Sequence, residues 1–446
     1  MKSLKKFAPI LLIFIMLFSW YNVLNGSITT SNEYKKYISS AEKNLKEGLP
    51  DNAVSDIQAA LEIKQSPDPV YMMAEYYSQK GDHDSCIDWC KSYLETFVTD
   101  SKLYGYLCKE YITLEKYTDC IDTLKSISKT DIYNNELKAC YNSIKYKFCE
   151  IGNRYDEIYT SLNDYCVVRR GANYGVCSVN GELNIKENYI SVGGVSNTDN
   201  GLRCSVIDQD GFAWLLDVSG KPKMNISSNL KGVTNLKKIG LVSDGMVAVC
   251  DERGIYSLIK LSDYTVVTSG YSYIGASSCG MIPASQNGKW FFINSKGERV
   301  SEATYDDIKV NDYGLAFQGN IAFVKNNGTY TMIDSNCKPV SSAQFDNART
   351  FYSKNALAGV YKNKKWGFTN QNGKIMFNDY SGTESFRFNY GAFNSEGKWG
   401  FIDEKGNVVV NAEFDNTKGF VSESTAVVSY GSEWFMIRLN ITSELE

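Results

Sequence analysis

Histidine is almost absent from this chain: His83 is the only one in 446 residues. Ser/His/Asp and Cys/His chemistry needs an imidazole base brought to the nucleophile by the fold. His83 sits in a turn between two helical stretches, so both schemes lack a distributed base. Neither a GxxxxGKS/T phosphate loop nor a GxGxxG turn after a strand occurs. Charge of one sign is also lacking, with 47 Lys and Arg interspersed among 51 Asp and Glu, which excludes the basic footprint of a nucleic-acid binder. Proline is scarce at 7 residues, whereas tyrosine (31) and phenylalanine (21) are abundant and glycine punctuates the second half, a balance that favours strands there. Paired carboxylates need only spatial proximity, so a glycan-acting enzyme with carboxylate catalysis stays as an alternative. Because Asp and Glu fall mostly in repeat turns and on helix faces, the chain is read as non-catalytic, with no cofactor and no metal.

The first 26 residues differ from the rest. Lys2, Lys5 and Lys6 precede an uncharged apolar run over residues 7–24. A basic flank followed by an apolar core is an export signature, and the run reaches the lower end of a spanning helix, roughly 17–25 residues. The segment 1–26 is therefore expected to be an uncleaved signal-anchor, with a cleaved signal peptide as the alternative. That predicts a single-pass cell-membrane protein with its C-terminal part outside the cytoplasm, or a secreted one. The chain has 12 cysteines.

Over 31–152 the apolar spacing is helical, and three stretches align: AEKNLKEGLPDNAVSDIQAAL from Ala41, AEYYSQKGDHDSCIDWCKSYL from Ala74 and CKEYITLEKYTDCIDTLKSI from Cys108. Ala41, Ala74 and Cys108 occupy one small-residue slot, Gly48, Gly81 and Glu115 the turn, and Ala53, Cys86 and Cys120 a second small slot. The pattern resembles the tetratricopeptide repeat, a helix–turn–helix unit of about 34 residues. The resemblance implies a short α-solenoid whose small slots mark close helix crossings, with cysteine packed there as a small hydrophobe. It also implies a concave groove lined by Ile38 and Glu42, Tyr71 and Glu75, and Gly105 and Lys109. A helix over about 135–150 is expected to cap the stack.

From 155 to 446 the period changes to that of strands. KWGFIDEKGNVVV from Lys398, KWGFTNQNGKIMF from Lys365 and KWFFINSKGERV from Lys289 are variants of one motif. Trp399, Phe401 and Asp403 alternate with Gly400 and Ile402, which reads as a strand, and DEKG reads as a turn capped by the Asp. Equivalent anchors fall at Tyr174, Ala213, Tyr256, Trp290, Tyr330, Trp366, Trp399 and Trp434. The pattern resembles the WG repeat of bacterial proteins, often joined to tetratricopeptide repeats. Three or four short strands per unit fit a closed seven- or eight-bladed β-propeller, with an open β-superhelix as the alternative.

The expected architecture is thus multidomain, α then antiparallel β. The Trp slot is read as a packing anchor, with a sugar-stacking ladder as the competing reading. Asp217, Asp334 and Asp403 are read as turn caps in preference to calcium ligands, because Lys260, Asn294 and Asn370 share their slot. The expected role is a non-catalytic binding or scaffold protein of a bacterial surface. Its partner would be a protein, on the groove or the β-surface, or a cell-wall glycan. A structural envelope component is the alternative.

Overall fold

The computed structural model describes residues 29–230 and 233–445, together with Trp20. Two compact units emerge: residues 1–145 with 442–446, and residues 146–441. The expectation of a single-pass membrane protein is corrected here. No helix among the described residues is long and apolar enough to cross a membrane. The apolar run on which that expectation rested lies, apart from Trp20, outside the described residues.

The first unit contains α1 (29–46), α2 (Pro50–Ile63), α3 (Asp68–Lys80), α4 (His83–Leu94), α5 (Ser101–Thr113), α6 (Tyr117–Ile127) and α7 (Asn135–Ile144). Side-chain caps start three of them. Asp82 accepts from the Ser85 N–H, Asp100 from Leu103, and Asn134 from Glu136 and Leu137. The two small-residue slots are fully buried at Ala41, Ala53, Ala74, Cys86, Cys108 and Cys120. At one crossing the Cys86 thiol donates to the Ala74 carbonyl at 3.2 Å. The turn slot is left-handed at Gly48 (φ 74°), Gly81 (φ 72°) and also Glu115 (φ 56°). Glu110, buried on α5, accepts from the Ser78 hydroxyl at 2.5 Å and pairs with His83 Nδ1 at 2.5 Å. Glu110 on α5 thus ties in both α3, through Ser78, and α4, through His83. The expected capping helix stops at Ile144, and residues 148–155 form a strand instead.

The second unit is an eight-bladed β-propeller. Blades 1 to 7 span 157–189, 191–225, 236–271, 273–293, 307–333, 347–380 and 382–414; blade 8 combines 416–439 with the strand Phe148–Tyr155. Every blade is an antiparallel meander whose first strand is innermost. In blades 4 and 5 the fourth strand is reduced to isolated bridges, such as Trp290 with Tyr305 and Tyr330 with Phe345. Closure is made by Phe148–Tyr155, which pairs with Glu433–Leu439 through Cys149 with Arg438, Ile151 with Met436 and Tyr155 with Trp434. An open superhelix therefore does not describe this chain. The strand begins before residue 155, where the β-repeats were expected to start, because it completes the last repeat and not the first.

Each pair of neighbouring blades shares one apolar core. Between blades 7 and 8 it holds Phe401, Phe414, Phe420, Val428 and Ile437; between 8 and 1 it holds Met436, Val427, Cys166 and Val168. The other six junctions repeat the arrangement. Such a ring has no terminal sheet face to solvate.

Candidate functional site

The eight anchor positions all fall on the third strand of their blades. Their burial is not uniform. Ala213 and Tyr330 are buried, whereas Tyr174, Tyr256, Trp290, Trp366, Trp399 and Trp434 are half-buried. The fully enclosed ring lies two residues later, at Phe368 and Phe401, each 0 % exposed. Gly400, between Trp399 and Phe401, is required by a close approach: a Cβ there would stand 2.6 Å from the Val410 carbonyl oxygen on the outer strand.

Four of the anchors, buried Tyr330 and half-buried Tyr174, Trp366 and Trp434, reach toward the innermost strand of their own blade. Tyr330 lies under the Lys309 ammonium at 4.6 Å, Trp366 under the Arg349 guanidinium at 5.4 Å, and Trp434 under the Lys418 ammonium at 5.8 Å. In blade 1 Tyr174 meets Tyr159. Such contacts hold a cation over an aromatic face. In blades 5, 6 and 8 the slot therefore buttresses cationic side chains that line the propeller's axial channel, a role the strand periodicity alone did not expose.

The turn aspartates cap as expected. Asp217, Asp334 and Asp403 each accept backbone N–H groups two and four residues on, at 2.9–3.0 Å. Asn294 and Asn370 accept the same pair in their own blades. The Lys338 N–H, with that of Asn336, holds the Asp334 carboxyl below its usual range.

The axial channel is divided in two. A loop of blade 5 crosses one half, and its Tyr313 and Leu315 are buried there with Val167, Leu241 and Ala276 from three other blades. The Tyr313 hydroxyl donates to the Thr160 carbonyl of blade 1 at 2.5 Å. Gly194 of blade 2 makes room, since a Cβ there would lie 2.7 Å from the Tyr313 ring. The other half is a cavity of about 250 Å³ lined by Lys309, Asp312, Arg349, Glu384, Arg387 and Lys418, with Tyr352 on its wall. Glu384 pairs with Arg349 at 3.0 Å. Asp312 accepts the Thr160 N–H at 2.9 Å and faces Lys418 at 3.9 Å. Burial pushes the Glu384 carboxyl up and the Arg387 guanidinium down from their usual ranges.

In the helical unit, the residues expected to line a groove divide. Tyr71 and Glu75 on α3 lie beside Tyr106 and Lys109 on α5: the Tyr71 and Tyr106 rings are 6.3 Å apart, and Glu75 and Lys109 both act on Tyr106 electrostatically. The Tyr71 hydroxyl donates to Asp100 at 2.5 Å, and Lys102 stands over the Tyr71 ring at 4.1 Å. Lys109 is tied to Glu136 of α7 at 2.7 Å, beside an open hollow of about 360 Å³. Gly105 is buried, Glu42 is exposed and Ile38 is half-buried on α1. Lys102 and Tyr106 were not among the expected groove residues; the i,i+4 steps from Lys102 to Tyr106 and from Gly105 to Lys109 could have flagged that face.

A WG-containing repeat family model matches residues 265–290, 290–330, 330–366 and 399–434. Every matched span ends at an anchor position. The chain carries WG repeats. They occupy blades whose geometry the unmatched blades share. No curated protein matches the chain. Among solved structures, BamB from Moraxella catarrhalis aligns over 66% of this chain and 98% of its own, at 15% identity and TM-score 0.42. The computationally designed Ika8 protein aligns over 65% and 98%, at 12% identity and TM-score 0.42. PorZ of Porphyromonas gingivalis, a surface component of the type-IX secretion system, aligns over 64% and 43%, at 10% identity and TM-score 0.37.

Proposed function

We propose that this chain is a non-catalytic scaffold that binds a protein partner on a tetratricopeptide-type helical face, with the WG-repeat propeller as a rigid second platform. The observation that carries this reading is the α3–α5 face. Tyr71 and Tyr106 present half-buried rings side by side, and Lys102 lies across both at 4.1 and 6.0 Å. Tyrosine with a neighbouring cation offers a large rigid contact area and polar tips at small entropic cost, the chemistry of interface hot spots. The repeated small-residue crossings, Ala74 against Cys86 above all, support the tetratricopeptide assignment. The scarcity of imidazole and the turn-capping use of the aspartates support a binding role over catalysis.

The test compares the wild-type protein with a Lys102→Ala/Tyr106→Ala variant by cross-linking and mass spectrometry, with a cell-wall glycan array beside it. A partner captured by the wild type and lost by a variant of unchanged melting temperature supports the reading. Equal capture by both proteins, or binding confined to glycans, refutes the helical face as the recognition surface.

A further inference from the structure

We propose that the charged half of the propeller channel is a binding site for a carboxylate anion. Four cationic side chains line it, Lys309, Arg349, Arg387 and Lys418, against two carboxylates, Asp312 and Glu384. This local excess is opposite in sign to the chain's formal net charge of −4, so it is not a by-product of composition. Both carboxylates are already engaged, Glu384 by Arg349 and Asp312 by the Thr160 N–H and Lys418. Lys309 leans on Asp307 at 3.5 Å.

Arg387 is the uncompensated group. Its Nη2 donates to the Ser161 carbonyl at 3.0 Å and to the Ser161 hydroxyl at 3.1 Å, and its guanidinium lies on the Tyr352 ring at 4.3 Å. Its Nε is buried and has no acceptor. Among the described residues it forms no ion pair. A guanidinium withdrawn from water without an anion is costly. An anion entering the adjacent cavity offsets that cost, and a flat carboxylate suits a guanidinium whose plane is fixed by an aromatic ring.

The cavity of about 250 Å³ lies just below the usual range for small-molecule sites, about 300–1,000 Å³. It therefore admits a small free carboxylate or one acidic side chain, not an oligosaccharide or a folded segment. The site needs the ring intact, because blades 1, 5, 6, 7 and 8 all contribute to it. It stands independently of the helical face: either can fail without the other.

Calorimetric titration of the full chain at low ionic strength decides the matter, since salt screens such attraction. The probes are succinate, inorganic phosphate, and a blocked peptide with one internal glutamate. The expected result is succinate or peptide binding tighter than about 1 mM, weakened at least tenfold in Lys309→Gln/Lys418→Gln and unchanged in Lys296→Gln, an exposed lysine outside the cavity. Tighter binding of the peptide than of succinate identifies a partner's acidic side chain as the source; the reverse identifies a free metabolite. No binding by either carboxylate, tighter binding of phosphate, or equal binding by the double variant with its fold intact overturns the proposal.

Discussion

Removing Phe401 should damage this protein more than removing Trp399, although Trp399 is the residue that defines the repeat. Phe401 is 0 % exposed. Its ring stands edge-on to Phe420 of the next blade at 5.0 Å and tilted against Phe414 of its own at 6.4 Å. The junction cannot collapse around a void without moving two blades fixed by their other neighbours. Phe401→Ala should therefore cost about 3–5 kcal/mol. Trp399 is half-buried, with its ring over Gly382 at the start of the innermost strand, where an added Cβ would lie 3.0 Å from it. Losing it strips contacts without opening an enclosed cavity, so Trp399→Ala should cost roughly half as much, about 1.5–2.5 kcal/mol. Urea unfolding followed by far-UV circular dichroism measures both without depending on tryptophan emission. A larger loss for Trp399→Ala would refute the assignment of the core to the Phe position.

Three further outcomes are expected. Glu115 holds a left-handed conformation that glycine holds in the two equivalent turns, so Glu115→Gly should stabilise the helical unit by about 0.5–1 kcal/mol in thermal unfolding; a loss of stability would show that the Glu115 side chain contributes more than its backbone costs. His83→Ala removes the partner of the buried Glu110 carboxylate and should destabilise by about 2 kcal/mol at neutral pH, whereas His83→Gln, which keeps a donor, should lose less; equal losses would discount the pairing. The carboxyl of Asp334 is held below its ordinary value, so its stabilising effect is complete above that value and disappears as pH falls through the folded-state pKa. Asp334→Asn, which reproduces the cap seen at Asn294 and Asn370, should flatten this blade's contribution to acid sensitivity in melts taken between neutral and acid pH; an unchanged slope would contradict the argument.

Blade number and phase are legible in the sequence because one backbone geometry recurs eight times and imposes the same strand–turn–strand spacing, even where the aromatic has become Ala213. Burial within the motif is less legible. Alternation places Trp399 and Phe401 on one face, but which of two large rings the next blade encloses depends on tertiary packing. The channel was hidden for a different reason. Its charged residues sit on short innermost strands or in the loops that follow them, and the plug depends on Tyr313, a feature of one loop with no repeat to betray it. The strand at Phe148–Tyr155 carries no anchor and pairs with residues nearly the whole unit away, so local pattern gave it no assignment. In the helical unit, the small-residue slots predicted the buried positions well, because helices that cross closely tolerate only Ala, Cys or Gly there.

The closure of blade 8 also sets an order of events. Phe148–Tyr155 leaves the ribosome before every other strand of the ring, yet its hydrogen-bonding partner, Glu433–Leu439, is the final strand of that ring. Until that strand has been synthesised, seven blades can only form an unclosed arc with apolar sheet faces at each end. Such an arc is open to mispairing with a second nascent chain. Maturation of the protein is therefore governed less by the folding of any single repeat than by how long the first strand must wait.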